Sequence, residues 1–322
     1  MAHIWRIQAF GIAYESTAWT KEAATAWIPK TSGIIKPMIE TMKDTSWYGV
    51  IDELNESDTV KEFTETSIEG IASDRAIWHL LHWAMWASAI SWSWPYTHAF
   101  TVLNDNSHPT FTLRGKDPVE SISSSYNMIN EFSIDAQTGE YVKFNAGFIG
   151  RKKVSESAPT VAYNSWESLF RARDVKVYLS DTEGSRGTAL TIERIKLTIN
   201  KNLYQQYNLG SVDMTTQHNQ QLTVVWDFEA LFNDLTFQNF VRNNTNKFMK
   251  IEIINTDVAL AVSWNPTMTF ILGKVVFEAR DSTGENNDIV KQTIGFSWAY
   301  NNTEGYTVKA SLINSVATDY DA

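Results

Sequence analysis

The chain has 322 residues and no cysteine, which excludes disulfides, thiolate nucleophiles and cysteine-held metals. Its 43% hydrophobic and 20% charged residues supply a packed core and exclude a disordered chain. With 37 acids against 27 bases the formal charge is -10, a balance that does not grip nucleic acid through its phosphates.

In chain order, strands are predicted over residues 6–13 and 34–42. An irregular excursion through Gly49 follows, then a strand over 60–70. A helix is predicted from a Ser73/Asp74 cap, with Ile77, Leu80, Leu81, Ala84 and Met85 on one face. The apolar stretch 76–94 invites a membrane reading. However, it contains His79, His82 and three serines, its tryptophans are scattered, and Pro95 ends it; a core or interface helix is expected instead. No basic segment followed by an apolar one opens the sequence, so no signal peptide is expected. In the second half, strands are predicted over 174–179 and 190–199, then an excursion through Gly210 and a strand over 221–228. Within the last, Leu222, Val224, Trp226 and Phe228 alternate with Thr223, Val225, Asp227 and Glu229. A second helix is expected over 229–243, then strands around Met249–Ile253 and Met268–Leu272. Ile294, Phe296, Trp298 and Tyr300 form a further strand, and Asn301 to Gly305 turns it into a partner carrying Tyr306, Val308, Ala310 and Leu312. The order strand, strand, excursion, strand, helix, strands thus occurs twice. Two similar lobes are therefore expected, 1–160 and 161–322, with a single continuous domain as the alternative.

Residues able to do chemistry are scattered. Glu65 with Glu69, and Asp227 with Glu229, pair carboxylates on strand faces, an arrangement that in an acidic protein reads as a solvated face rather than a glycosidase pair. His79 and His82 stand three apart on a helix without a third ligand at metal-binding spacing, so a surface or interface role is expected. Neither phosphate-binding glycine loops nor a nucleophile elbow occur. The 13 tryptophans fit core and interface packing, with sugar-stacking platforms as the rival reading. No enzyme, cofactor or metal is expected. One anomaly is electrostatic: from Glu40 to Asp74 there are ten acids and two bases, most of the net charge of the chain in one hairpin.

The segment from Phe10 to Ser32, FGIAYESTAWTKEAATAWIPKTS, resembles the start of the tail tube (major tail) proteins of long-tailed, non-contractile bacteriophages. The likeness continues through Tyr48-Gly-Val-Ile-Asp-Glu, Ser67-Ile-Glu-Gly, Leu197-Thr-Ile-Asn-Lys-Asn and Thr293-Ile-Gly-Phe-Ser-Trp-Ala-Tyr. The resemblance implies a mainly β protein, a sandwich or half-barrel with a flanking helix, whose subunits join into rings and stack into the tail tube of the virion. It also implies synthesis in the bacterial host cytoplasm, tail-tip and tail-terminator partners, and a lumen through which the tape-measure protein and then DNA pass without tight binding. No membrane is involved. Two lobes per chain predict a trimeric, pseudo-sixfold ring, with a hexamer as the alternative. The excursion 44–59 is the expected inter-ring arm, with Asp44, Tyr48, Gly49, Asp52, Glu53, Glu56 and Asp58 upon it, and residues 1–5 a second. Glu62, Glu65 and Glu69 are the expected lumen-facing acids. Strand alternation puts Glu65 and Glu69 on one face and Glu62 on the other, and neither face reads as apolar. A carbohydrate-binding or glycoside-acting β-protein of a virion is the alternative function.

Overall fold

The computed structural model describes residues 7–46, 48, 56–91, 93–103, 108–231, 236–278, 282–283 and 291–317. The protein is mainly β, and its strand ladders are all antiparallel. The first half contains β1 (Ala9–Tyr14), β2 (Ala26–Trp27), β3 (Ser32–Asp44), β4 (Glu56–Ile71), α1 (Ala76–Met85), β5 (Trp86–Ile90), β6 (Tyr96–Val102), β7 (Phe111–Lys116), β8 (Ser121–Gln137), β9 (Lys143–Arg151) and β10 (Val154–Glu156). The second contains β11 (Val175–Ser180), β12 (Thr188–Ala189), β13 (Arg194–Asn200), β14 (Tyr204–Gln206), β15 (Thr216–His218), β16 (Thr223–Leu231), α2 (Thr236–Arg242), β17 (Lys247–Ile254), β18 (Thr267–Glu278), β19 (Ser282–Thr283), β20 (Lys291–Trp298) and β21 (Val308–Asn314).

The pairings of the two halves run in parallel. In the first, β2 pairs β1, β1 pairs β7, β7 pairs β8, β8 pairs β9, β9 pairs β4 and β4 pairs β3, while β10 joins the start of β8. In the second, β12 pairs β11, β11 pairs β17, β17 pairs β18, β18 pairs β20, β20 pairs β16 and β16 pairs β13, while β21 joins the start of β18. The registers agree as well. Glu69 faces Asn145 and Gly147 faces Ser67, as Glu229 faces Thr293 and Gly295 faces Asp227; Gly-Phe at 147–148 and 295–296 occupies the same place. One further ladder joins the halves: β13 pairs the C-terminal part of β8, from Arg194 opposite Gln137 to Asn200 opposite Glu131. The result is a continuous sheet in the order β3–β4–β9–β8–β13–β16–β20–β18.

Two outer edges of that sheet carry no strand among the described residues. One belongs to β3, which pairs with β4 alone; the other is the end of β18 past Val275, where β17 stops. Exposed edges are places where a second chain can add.

Alternation explains the layers. Ile195, Leu197 and Ile199 of β13, Val224, Trp226 and Phe228 of β16, and Phe144, Ala146 and Phe148 of β9 point inward, and the residues between them face water. The core beneath is one connected cluster, from Phe10 and Trp83 through Phe132 to Phe228, Phe270 and Phe296. All ten residues of α1 are buried, and the helix packs against β5, β6 and β8. A helix apolar all round belongs in a core. Ser73 Oγ accepts a hydrogen bond from Ala76 N at 3.2 Å and so caps its first turn.

Four sequence expectations are corrected. The helix read over 229–243 begins at Thr236, because Glu229 to Leu231 extend β16 as the partner of β20. The strands on either side of the Asn301–Gly305 turn do not pair with each other: β20 and β21 both pair β18, at its two ends, and β21 also pairs β6. His79 and His82 are not surface residues; both are buried, and His82 stacks on Trp78 at 4.8 Å. Finally, 86–90 of the apolar stretch is strand, and no helix among the described residues is long and apolar enough to cross a membrane.

Candidate functional surface

The β3–β4 hairpin projects beyond the sheet. β9 supports β4 from Phe63 to Ile71, so beyond Met38 and Phe63 the two strands pair mainly with each other. Glu62 marks the base of this extension: its N–H donates to Val212 O at 2.9 Å, and its carboxylate lies 3.5 Å from Lys152, which also holds Asp213 at 3.0 Å. Past that point Ile39 and Met42 are about 60% exposed (59% and 63%), and Tyr48 reaches 67%. Acids and bases alternate with these apolar groups; Lys61 pairs Glu40 at 2.6 Å. Asp44 accepts from Ser46 N at 2.9 Å and from Tyr48 OH at 3.3 Å, and the hydrogen bonds from Ser46 hold its carboxyl below the usual range. Glu56 and Asp58, read as part of a loop, are strand residues opposite Asp44 and Met42. Gly49, Asp52, Glu53 and residues 1–5 lie outside the described residues.

Of the three acids singled out in the sequence, Glu65 and Glu69 share the exposed face of β4 with Ser67, whereas Glu62 shares a face with Thr64, Thr66 and Ile68, which are buried. The second face is therefore polar in composition and dry in fact. Thr64 makes it so by hydrogen bonding, with its hydroxyl 2.8 Å from Ser124 Oγ and donating to Arg151 O at 2.9 Å.

The wet face continues across the whole sheet. Register places Lys36 of β3 opposite Glu65, then Asn145 and Gly147 of β9 next to Glu131 and Ser133 of β8. Lys196 and Arg194 of β13 follow, then Asp227 and Glu229 of β16, and Glu278 of β18 beside Gly295. Among the described side chains, seven carboxylates (65, 69, 131, 135, 227, 229, 278) thus stand with five cations (36, 143, 194, 196, 274) on this face. Arg194 binds Asp135 through two hydrogen bonds, 3.1 and 2.5 Å, which raises the guanidinium further above its ordinary range. Glu69 accepts from Ser32 Oγ at 2.9 Å and Asn145 Nδ2 at 3.4 Å. The surface is hollowed: clefts of about 540 and 210 Å³ lie along it, the larger over β3, β4, β8 and β9 and the smaller beside Glu69, Asp135 and Lys196. Sequence reasoning read Asp227 and Glu229 as a solvated pair but did not join them to Glu65 and Glu69. Glu131, Asp135 and Glu278 escaped it, because the link runs through the β8–β13 ladder between residues about sixty apart in sequence.

No group of three or more His, Asp or Glu suited to a metal ion occurs among the described residues. Trp27, Trp78, Trp83 and Trp226 are buried in the core. Trp19, Trp94, Trp166 and Trp264 are exposed, and Trp19 stands edge-on to Tyr126 under the Arg151 guanidinium. The arrangement is an extended, hollowed, acidic sheet face with two open edges and a projecting hairpin.

No curated protein matched the chain in sequence. The family model for phage tail tube proteins matches residues 9–298, which takes in every strand of the long sheet. The chain belongs to the phage tail tube protein family, whose place is the tail of the virion.

Proposed function

We propose that this chain polymerises into the tail tube as a subunit with two tandem lobes, divided near residue 160, so that three copies close a ring of pseudo-sixfold symmetry. The observation that carries this reading is the β8–β13 ladder. Inside one chain, the outermost strand of the second half docks on the C-terminal part of β8. The equivalent partners for the next contact are the two open edges: β3 corresponds to β13, and the end of β18 to the end of β8. Pairing β3 of one copy with that end of β18 in the next, Met38 opposite Glu278, repeats the internal joint of Asn200 opposite Glu131 between chains, a heterologous contact that closes on rotation. Pro37 within β3 fits an edge strand, where a missing N–H is tolerated.

In this ring the hollowed acidic face lines the lumen, and the β3–β4 extension reaches the adjoining ring, where its exposed isoleucine, methionine and tyrosine become covered. DNA leaving the virion, and the tape-measure protein before it, pass a wall of like charge that repels phosphate. Tail-tip and terminator proteins cap the stack, and the subunit is made in the cytoplasm of the bacterial host. Electron microscopy of purified protein, with averaged top views, tests the reading. Rings or tubes with threefold symmetry and six similar lobes are expected. A dispersed monomer under all assembly conditions, or true sixfold rings with one chain per lobe, overturns it.

A further inference from the structure

A second feature lies away from the wet face, where the end of β13, the start of β16 and the turn after β20 meet β6 and β21. A cavity of about 410 Å³ opens there, lined among others by His108, Lys201, Asn219, Tyr300, Tyr306 and Lys309. Lys201 is buried, at 5% exposure. Its Nζ donates to Trp83 O at 2.6 Å and lies 3.2 Å from His108 Nδ1, so the ammonium form keeps one N–H for the cavity. Burial lowers its pKa to about 7. The other lysine is already neutralised: Lys309 lies 3.0 Å from Glu183 Oε1, which also accepts from Tyr306 OH at 2.8 Å.

Asn219 supplies the second observation. Its Nδ2 and Oδ1 are both buried, and neither has a hydrogen-bond partner among the described residues. A buried amide left unmet is destabilising unless something fills the site. The two segments are held together by Gln220 N donating to Lys201 O at 3.3 Å. The lining thus offers a cationic donor, an amide donor and an amide acceptor, all out of bulk water.

We propose that this cavity binds a carboxylate flanked by a hydrogen-bond donor, the carboxylate taken by Lys201 Nζ and Asn219 Nδ2 and the donor by Asn219 Oδ1. Two sources carry that chemistry. One is a small 2-hydroxy or 2-amino acid. The other is an acidic residue of a second copy of the chain, whose backbone N–H is the donor; this source rests on the tube reading, since the cavity opens at the end of the sheet from which the β3–β4 extension projects. Binding favours the charged lysine and draws a proton from solvent at pH above about 7, with His108, Tyr300, Tyr306 and Lys309 as the other ionisable groups facing it.

The test titrates dispersed wild-type protein with L-malate at pH 7.5 and constant ionic strength, against chloride, by calorimetry in two buffers of different ionisation enthalpy. If the source is a small acid, malate binds with proton uptake, and Lys201→Met and Asn219→Asp each weaken binding at least tenfold while keeping the wild-type circular dichroism. Asn219→Leu provides an uncharged variant at this position should Asn219→Asp fail to fold. If the source is a second copy, malate does not bind, but the same variants raise the concentration needed for assembly at least tenfold. Malate binding by a protein that never assembles upholds the site and removes only the tube reading. Absence of malate binding together with assembly unmoved by any of the variants overturns the proposal.

Discussion

Glu15 is the clearest case of one side chain holding distant parts of the chain together. It is buried at the end of β1, and its two carboxylate oxygens accept from Thr110 Oγ1 (2.7 Å), Thr112 Oγ1 (2.9 Å), Tyr126 N (2.8 Å) and Trp19 N (3.0 Å). Tyr126 and Trp19 both have positive φ, 56° and 75°, a conformation that side chains other than glycine adopt reluctantly. The carboxylate stabilises both by collecting their N–H groups. Glu15→Gln replaces one acceptor oxygen by an NH₂ that faces donors, so a loss of about 2–4 kcal/mol is expected in urea unfolding, from an unpaired buried group. Asp74 gives a prediction with a pH signature. Burial raises its pKa to about 6, although Ser168 N donates to it at 2.7 Å. The folded chain therefore holds a proton that the unfolded chain releases near pH 4. Stability falls as pH rises from about 4 to about 6, by about 2–3 kcal/mol for this group alone. Asp74→Asn keeps the acceptor oxygen and cannot titrate. Its stability relative to wild type should rise across that window and then stay level, as followed by melting temperature against pH.

At the scale of elements, the hairpin extension should be separable from the fold. Replacing Glu40–Lys61 by Asn-Gly joins Ile39 to Glu62 through a two-residue turn and leaves Glu62 on Lys152 and Val212. None of the described residues removed is buried, so the melting temperature should change by only a few degrees, while stacking of rings into tubes is lost. Tubes of normal length from the truncated protein would sink the assignment of the hairpin as the inter-ring arm. The sequence made strands of this kind legible wherever one face is apolar: β13, β16 and β20 follow period-two patterns that a reader can see. It misled where a polar face is dry, because Thr64 and Thr66 look solvated until Ser124 and Arg151 O are found against the Thr64 hydroxyl. Partner choice was hidden too. A turn at Asn301–Gly305 fits a hairpin, but β18 is long enough to take β20 at one end and β21 at the other, which no local signal announces. The burial of His79 and His82 was missed for a similar reason. Polar residues on an apolar helix read as surface until Trp78, Trp83 and Trp86 enclose them, and His98 joins the cluster by accepting from Trp78 Nε1 at 2.9 Å.

At the scale of the whole molecule, what matters is which way the hollowed face points in an assembly. The wet side of the sheet carries more acid than base, and neighbouring copies joined edge to edge would repeat that charge around a closed wall. Repulsion from DNA is then a property of the ring rather than of any residue, and it is screened within about 8 Å at physiological salt. Glu65→Lys combined with Glu131→Lys should leave the fold intact, since both side chains are exposed, and should slow DNA ejection most at low salt. Orientation can be measured directly, because the chain has no cysteine of its own. Single cysteines at Glu65 and Val225 sit on the wet face, one in each half, whereas Val119 lies on the exposed turn between β7 and β8. In assembled tubes, positions 65 and 225 should react with a small maleimide but be shielded from a polyethylene-glycol maleimide, and position 119 should react with both. If the bulky reagent labels 65 and 225 in tubes as fast as in free subunits, the acidic face lies outside. The charge then serves solubility or contacts with other virion proteins, and slowed ejection in the lysine variants would need another cause.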